Sequence, residues 1–300
     1  MTVKKSALLL FLTLSLALLA ACGSAAGGTD AGEPTPVPTQ TAGGDEVTCG
    51  PGVPYSMVCR IVDGAEEGDL LLAELPTEGM IPSGGSVYRV SAQHTEVWLN
   101  GEKADSSALE DGMPITVYFR GPILETYPAQ LGELLCIEAF SRGSQENPGG
   151  SFYDLCGLYL KVLDDLWKKD PALNENISVA GLDLSQAPGG LTDSEKAALA
   201  WRFGELHGVE VITGTFDELK ADGYLTAMEG INAYEWQDGC LFSITANEGH
   251  KGEGYSLPSL FFDAQKWCGP LAAYYFCDCS ALWPEFGTWS GYNIGAEAIS

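Results

Sequence analysis

The chain of 300 residues carries 41 acidic and 15 basic side chains, which gives a formal net charge of −26 at pH 7. A field of this sign repels phosphate backbones, so the composition argues against a nucleic acid partner. Hydrophobic residues form 45% of the chain, enough for packed cores, and the length suggests about two domains.

The first 21 residues have the three parts of a secretory signal peptide. Lys4 and Lys5 supply a positive n-region, residues 7–21 supply an uncharged apolar h-region, and small residues precede Cys22. An apolar helix needs about 20 residues to cross the hydrocarbon core of a bilayer, and this run is shorter. We therefore expect residues 1–21 to be removed by cleavage and not to remain as a membrane span.

The segment Leu19-Ala20-Ala21-Cys22 resembles the lipobox of bacterial lipoproteins. The resemblance implies that the Cys22 sulfur receives a diacylglycerol and that the chain is cut immediately before this residue. Two acyl chains hold a protein stably on a bilayer, where one would not. The expected partner is thus membrane lipid through Cys22, and the expected location is the extracytoplasmic face of the cell membrane. The alternative is an ordinary secretory signal with an incidental cysteine.

Residues 22–47 consist mainly of Gly, Ala, Thr, Pro and acidic residues, with PTPVPT near the middle. Too few apolar side chains are present to pack a core, so the segment is predicted to be a disordered linker. As a tether, it would hold the folded part away from the bilayer surface.

Eight cysteines follow Cys22. An even number permits disulfides outside the cell, but eight cysteines allow 105 connectivities and the sequence selects none. For Cys277 and Cys279, which are too close in sequence to bond each other readily, the favoured partners are Cys240 and Cys268. Clustered Cys and His residues at zinc-site spacing are missing, so no metal site is predicted. Three cysteines lie in apolar strand-like runs and are equally well read as buried thiols: Cys59, Cys136 and Cys240.

Residues 48–143 alternate short runs rich in Val, Ile, Leu and aromatic residues with Gly, Pro, Asn and Asp, which predicts several short strands. The segment DSSALEDG predicts one helical turn before the last pair of strands, ending at Gly112. This number of strands in so short a segment predicts a small barrel that is closed or nearly closed.

The stretch LEDGMPITVYFRGPILETYPAQLGELLCIEAF resembles the small OB-type barrel of uncharacterised bacterial lipoproteins. The resemblance implies a fold and says nothing about an activity. OB barrels bind oligonucleotides or oligosaccharides on one face, and the basic groove that single-stranded nucleic acid requires is missing. Glu125, Thr126 and Tyr127 are therefore candidate barrel-site residues, and the alternative is a turn between two strands.

Residues 149–300 are predicted to form an α+β domain, in which helices pack on an antiparallel sheet. Apolar residues at spacings of three and four from Phe152 onward predict an amphipathic helix to about Lys169. Two TxxE segments, at Thr192 and Thr215, predict capping boxes at helix N-termini. The later runs are strand-like, so the whole chain is predicted to be α+β, with a small OB-like barrel followed by this domain.

The segment WPEFGTWSGYNIG combines aromatic rings with Gly and Pro, where a ring can lie open to a sugar face or to a protein. Packing in a core or a loop is the alternative. Four residues form this candidate ligand-stacking site: Trp283, Phe286, Trp289 and Tyr292.

No familiar nucleophile, zinc-protease, phosphate-loop, dinucleotide or EF-hand motif occurs in the sequence. We therefore assign no catalytic, cofactor-binding or metal-ligating residue. The sequence favours a non-enzymatic binding or interaction module whose partner is a glycan or a protein of the cell envelope. The alternative is a cell-surface hydrolase that acts on glycans through a pair of carboxylates. Such a pair needs a fixed separation, which only a structure can show.

Overall fold

The computed structural model of the protein describes residues 55–77, 85–141, 154–247, 249, 259–282 and 291–300. The predicted signal peptide, Cys22 and the predicted linker lie outside these residues. Two main sheets and three α-helices are seen in the described part, and they belong to one unit, Val47–Ser300. The predicted mixture of α and β structure is confirmed.

Eight strands form the first sheet, with the order β5-β4-β8-β6-β1-β2-β3-β7. Neighbours run antiparallel except in the pairs β4–β8 and β3–β7. Within the described residues no pairing joins the two ends, so the hydrogen-bonded sheet is open. The strands are β1 (Tyr55–Asp63), β2 (Asp69–Glu74), β3 (Val87–Ser91), β4 (Glu96–Leu99), β5 (Glu102–Ala104), β6 (Pro114–Arg120), β7 (Ala129–Gln130) and β8 (Glu133–Ala139).

Alternating side chains give the first sheet its own core, because successive residues of a strand point to opposite faces. Cys59 and Ile61 of β1 and Leu70 and Leu72 of β2 are all fully buried in one apolar cluster. The predicted helical turn is a 3₁₀ turn at Ser106–Ala108, capped by the side chain of the preceding aspartate. These short strands, turns and the helical turn, residues 55–141, form the first region, which is joined by distant pairings such as β1 with β6 and β4 with β8.

The second region combines helices with a six-stranded sheet of order β10-β9-β13-β14-β15-β16, and β11 and β12 pair separately. The helices are α1 (Leu155–Lys168), α2 (Asp193–His207) and α3 (Phe216–Ala221). The strands are β9 (Val179–Asp183), β10 (Glu210–Thr213), β11 (Thr226–Ala227), β12 (Tyr234–Glu235), β13 (Gly239–Ala246), β14 (Ser259–Gly269), β15 (Ala272–Leu282) and β16 (Ala296–Ile299).

This sheet is mixed, which corrects the expectation of an antiparallel sheet. β9 pairs in parallel with both β10 and β13, while β13 to β16 run antiparallel. Parallel neighbours need a crossover connection, and α2 supplies the one between β9 and β10. The short strand β10, which the sequence reading passed over, makes this βαβ unit possible.

Helices cover both faces of the sheet. Phe242 packs into the apolar cluster that holds α1 and α2, whereas the next residue, Leu241, joins the cluster of Leu219 on α3. Since neighbouring strand residues face opposite sides, α3 lies on the face away from α1 and α2. None of the described helices is both long and apolar enough to span a membrane.

The predicted helix starts are confirmed in detail at α2 and α3. Thr192 accepts from the Glu195 N–H while the Glu195 carboxylate accepts from the Thr192 N–H, and Thr215 and Glu218 repeat this arrangement. α1 ends at Lys168, close to its predicted end, and its apolar stripe is buried. The predicted start at Phe152 lies outside the described residues.

Candidate functional site

An open groove of about 740 Å³ lies between α2, β10 and the first region. We call it the α2–β10 groove. Residues of α2 and of β10 line the groove, together with a tyrosine from the segment between β6 and β7. Its lining includes Tyr127, Trp201, Gly204, Glu205, Glu210 and Val211.

β10 contributes an unpaired backbone edge to the groove. The Glu210 N–H donates to Ser178 O at 3.3 Å and the Gly214 N–H donates to Leu182 O at 3.2 Å, so the even-numbered residues face β9. By strand alternation, Val211 and Thr213 turn their N–H and C=O groups to the other side. Among the described residues no strand pairs with that side, because β10 ends the sheet order.

Gly204 lets α2 lie directly against β10. A Cβ atom at this position would come within 2.8 Å of Val209 O and 3.0 Å of Val211 Cγ2. Real side chains almost never make such close contacts with backbone, so a larger residue would push the helix away from the strand. The close contact between α2 and β10 therefore depends on a glycine in the last turn of the helix.

Trp201 forms part of the helical wall and carries a cation on its ring. The Arg89 guanidinium carbon lies 5.2 Å from the ring centroid, within the range of a cation–π interaction. Arg89 also forms ion pairs with Asp69 at 2.9 Å and with Glu205 at 3.0 Å. The ring is thus held in place from the first region, and one of its faces is covered.

Tyr127 is the member of the predicted barrel-site triplet that reaches the groove. Its side chain is 62% exposed, and its hydroxyl donates to Ala197 O of α2 at 3.4 Å. Glu125 and Thr126 are exposed and do not line the groove, and the Thr126 hydroxyl donates to Pro128 O at 2.8 Å. These two residues therefore have the features of the turn that was the alternative reading.

The charged side chains that line the α2–β10 groove are both acidic. Glu205 accepts from Arg89 at 3.0 Å and from Arg202 at 2.7 Å, whereas Glu210 is exposed on β10. A glycosidase needs one carboxyl group in an apolar pocket and a second across the cleft. Neither glutamate has an apolar setting, so the geometry of this groove suits binding better than hydrolysis.

A smaller pocket of about 270 Å³ lies where β9 and β10 end. Its polar side chains are already engaged with each other or with neighbours. Ser185 donates to Asp183 at 2.7 Å, and Thr215 and Glu218 form the α3 capping box. The polar lining is thus mostly taken up by the start of α3 and by the turn that follows β9, and Lys196 of α2 completes it.

Of the predicted stacking residues, Tyr292 lies within the described part and packs against the sheet. Its ring centroid is 5.9 Å from that of Phe262 and 6.4 Å from that of Phe276, and its hydroxyl donates to Asp165 at 3.0 Å. Burial raises the pKa of the Tyr292 phenol well above its usual range. This position therefore has the packing role that was the alternative. Trp283, Phe286 and Trp289 lie outside the described residues.

Sequence reasoning missed Trp201 and β10. The run VEVIT after Gly208 is β-branched and follows a helix, which is a signal for a short strand. Trp201 has no comparable signal, because its role depends on Arg89 and on β10, which are distant in the sequence. In the described residues no group of His, Cys, Asp and Glu is arranged to hold a metal ion.

No protein-family model matches the chain, and neither a curated protein nor a solved structure matches it.

Proposed function

We propose that the protein is a non-enzymatic binding module, anchored by lipid on Cys22 to the extracytoplasmic face of the cell membrane. In this proposal, the α2–β10 groove holds an extended segment of a partner protein of the cell envelope. The unpaired edge of β10 beside an open groove is the observation that carries the proposal. The lipobox-like segment at residues 19–22 supports the anchor.

An extended polypeptide fits the groove better than a glycan. A peptide strand can pair with the free N–H and C=O groups of Val211 and Thr213, and its alternate side chains can enter the groove. A sugar would instead stack on an aromatic face; Arg89 covers one face of Trp201, and the exposed Tyr127 ring is the aromatic surface left to a sugar. The free backbone edge of β10 is therefore the feature that favours a peptide.

The charge of the groove specifies the peptide further. Glu205 is already paired with Arg89 and Arg202, so Glu210, which is exposed on β10, supplies the negative charge in the lining, and the whole chain has a formal charge of −26. Complementary charge speeds association and selects between partners more than it adds affinity. The favoured partner segment is therefore basic and alternates with apolar residues. The same charges disfavour pairing of two copies edge to edge through β10, since like glutamates would approach each other.

We also propose that the first region is an OB-like barrel, as the sequence resemblance implied. The order of strand pairing supports this proposal. From β1 the sheet continues on one side through β2 to β3 and on the other side through β6 and β8 to β4, and β3 and β4 are consecutive in the chain. Counted as one bent strand, β3 and β4 would give five strands in a ring, with a helical turn before the fourth. In this proposal the barrel is the platform that carries Tyr127 and Arg89 to the groove.

Three synthetic ten-residue peptides test the binding proposal on the purified full chain in detergent. The first alternates Val and Lys, the second alternates Val and Glu, and the third is the Lys peptide N-methylated at every second residue. We expect the Lys peptide to bind, the Glu peptide to bind at least tenfold more weakly, and the methylated peptide to lose binding because it cannot pair as a strand.

Val211→Pro is the matching change in the protein, because proline removes an outward N–H and is tolerated on edge strands. We expect it to weaken binding of the Lys peptide at least tenfold, while Leu271→Ser, at a residue 87% exposed and outside the groove, leaves binding unchanged. The strand-addition mode would be refuted if the methylated peptide bound as tightly as the Lys peptide and the Val211→Pro variant bound the Lys peptide as tightly as the wild type. Preferential binding of an envelope oligosaccharide at the same groove would refute the choice of a peptide.

The anchor is tested separately by mass spectrometry of the mature N-terminus. We expect the chain to begin at a Cys22 that carries diacylglycerol, and Cys22→Ala to prevent this modification. An N-terminus that retains residues 1–21 without an acyl group, in a soluble cell fraction, would refute the proposed location.

A further inference from the structure

β13 and β14 place two cysteines directly opposite each other. The antiparallel register pairs Leu241 with Trp267, and one residue further along this register Cys240 lies opposite Cys268. Opposed residues of an antiparallel pair have Cα atoms about 4.5–5.5 Å apart, which lies within the span that a disulfide bridges. Their side chains share a face, and the two Sγ atoms are in contact at 2.7 Å.

The surroundings distinguish the two thiols. Cys240 is fully buried in the middle of the sheet, whereas Cys268 is partly exposed near the end of β14. Lys266, on the same face two residues before Cys268, is fully buried, and its ammonium donates to Lys169 O at 2.9 Å and to Asp170 O at 3.2 Å. A buried cation thus lies beside the more accessible thiol.

This setting makes Cys268 the more reactive sulfur. Its contact with Cys240, followed by the nearby Lys266 ammonium, lowers the pKa of the Cys268 thiol. Burial raises the pKa of the Cys240 thiol well above its usual range. The thiolate is the form that attacks a disulfide, so Cys268 is suited to react first and Cys240 to follow.

Cys277 and Cys279 are too far along β15 to compete as partners, which corrects the pairing favoured from the sequence. Trp267 lies opposite Ala273, and Cys277 is four residues beyond that position. Four residues of strand extend about 13 Å, and cysteines whose Cα atoms are more than about 7 Å apart cannot be bridged without backbone movement.

We propose that Cys240 and Cys268 are a disulfide-forming site that fastens β13 to β14 in the oxidising environment outside the cell. The Cys268 thiolate attacks a sulfur of an external disulfide, either a small-molecule disulfide or that of a thiol oxidoreductase, and one external thiolate leaves. The deprotonated Cys240 then attacks Cys268 Sγ and the second external thiolate leaves. Two protein thiols are oxidised, one external disulfide is reduced to two thiols, and two protons are transferred.

The reaction itself needs no anchor, but its occurrence in the cell rests on the extracytoplasmic location proposed above. The bond would close a loop between residues 28 positions apart in the chain. Such a cross-link restricts the unfolded chain and thereby stabilises the folded one. Because β13 is a central strand of the second sheet, the site would stabilise the region that holds β10 and the groove.

Cysteine mapping of the purified full chain tests the proposal. Samples incubated with or without oxidised glutathione are unfolded in the presence of the alkylating agent, so that every remaining free thiol is blocked, the buried ones included, and the non-reduced digest is analysed by mass spectrometry. We expect a cross-linked peptide pair containing Cys240 and Cys268, with Cys277 and Cys279 alkylated. A chain that remains alkylated at both Cys240 and Cys268 after the oxidant, or a cross-link from Cys268 to Cys277, would overturn the proposal.

Thermal unfolding of oxidised variants gives a second measurement. Cys268→Ser is nearly isosteric and partly exposed, and we expect it to melt about 5–10 °C below the oxidised wild type through loss of the cross-link. Cys277→Ser is the matched control and should melt with the wild type. If the chain carries the cross-link but no lipid on Cys22, only the proposed anchor is refuted. If the chain carries the lipid but no cross-link, only the disulfide proposal is refuted.

Discussion

The two regions bury their sheets in different ways. In the first region, β1 and β2 turn Ile61 and Leu70 into the core of their own sheet. In the second region, β13 is covered on both faces, by α1 and α2 on one side and by α3 on the other. A sheet with one open face can accept another element there, whereas a sheet covered on both faces can add a partner only at its edge.

α2 is the element that the two regions share. It connects β9 to β10 of the second sheet, yet it also packs on β2 of the first sheet. Leu71 and Ala73 of β2 lie in the same apolar cluster as Leu199 and Phe203 of α2. β2 is thus buried on both faces. The groove lies beside α2 because this helix spans the regions while leaving the edge of β10 uncovered.

The largest expected effect tests whether the regions fold as one. Phe242 is fully buried between α1, α2 and the sheet, and Phe242→Ala should lower the free energy of unfolding by about 3–5 kcal/mol. Because α2 joins both cores, we expect one urea transition, seen at the same midpoint by tryptophan fluorescence and far-UV circular dichroism. Two separate transitions, with only one moved by the substitution, would show that the regions are independent.

Ion pairing between Arg60 of β1 and Glu195 of α2 is the next target. Arg60 Nε lies 2.6 Å from Glu195 Oε1, both side chains are mostly buried, and Arg60 Nη1 also donates to Gly112 O at 2.8 Å. Arg60→Met should cost about 3 kcal/mol, since it leaves a carboxylate buried without its cation.

A double-mutant cycle separates this pair from the cap that Glu195 also completes. Glu195→Gln keeps an acceptor for the Thr192 N–H, so the double variant Arg60→Met with Glu195→Gln should be less destabilised than the sum of the two single variants. Strict additivity in urea unfolding would show that the pair does not couple the regions.

How much of this arrangement the sequence predicts depends on the range of the contacts. Capping boxes such as Thr192 with Glu195 are visible because the two residues are three apart. The strands of the first region are visible because alternation and turn residues are local signals. The groove is not, because Tyr127 meets Ala197 across 70 positions and the pairing of β10 with β9 follows a helical crossover. Tyr292 illustrates the same limit, as its bond to Asp165 spans 127 positions.

The N-terminal caps of α2 and α3 belong to helices that differ in how many regions they contact. Thr192 caps a long helix that touches both regions, while Thr215 caps a short, more exposed helix on the far face of the second sheet. Loss of an N-cap costs about 0.5–2 kcal/mol. We expect Thr192→Ala to lie near the upper end and Thr215→Ala near the lower end in urea unfolding, and the reverse order would contradict the role of α2 as the shared element.

A weaker effect is a pH dependence of stability that arises at a histidine of the second region. His207, at the end of α2, stacks on Trp167 with ring centroids 4.3 Å apart, and its Nε2 lies 3.7 Å from Asp164 Oδ1. Burial lowers the pKa of His207 below its ordinary value of 6.5, an effect that Asp164 opposes and that Lys168 and Lys266 reinforce.

The pKa of His207 is lower in the folded chain than in the unfolded chain, so between these two values the unfolded chain binds the proton more readily. The contribution of His207 is therefore complete above about pH 6.5 and is lost as the pH falls through the window below it. Urea midpoints measured from pH 7.5 to 5 should fall less steeply in His207→Gln than in the wild type. His94→Gln, an exposed position of the first region, is the matched control and should keep the wild-type slope. If His207→Gln also keeps that slope, the stacked imidazole does not titrate with unfolding, and acid sensitivity must arise from carboxylates that both regions share.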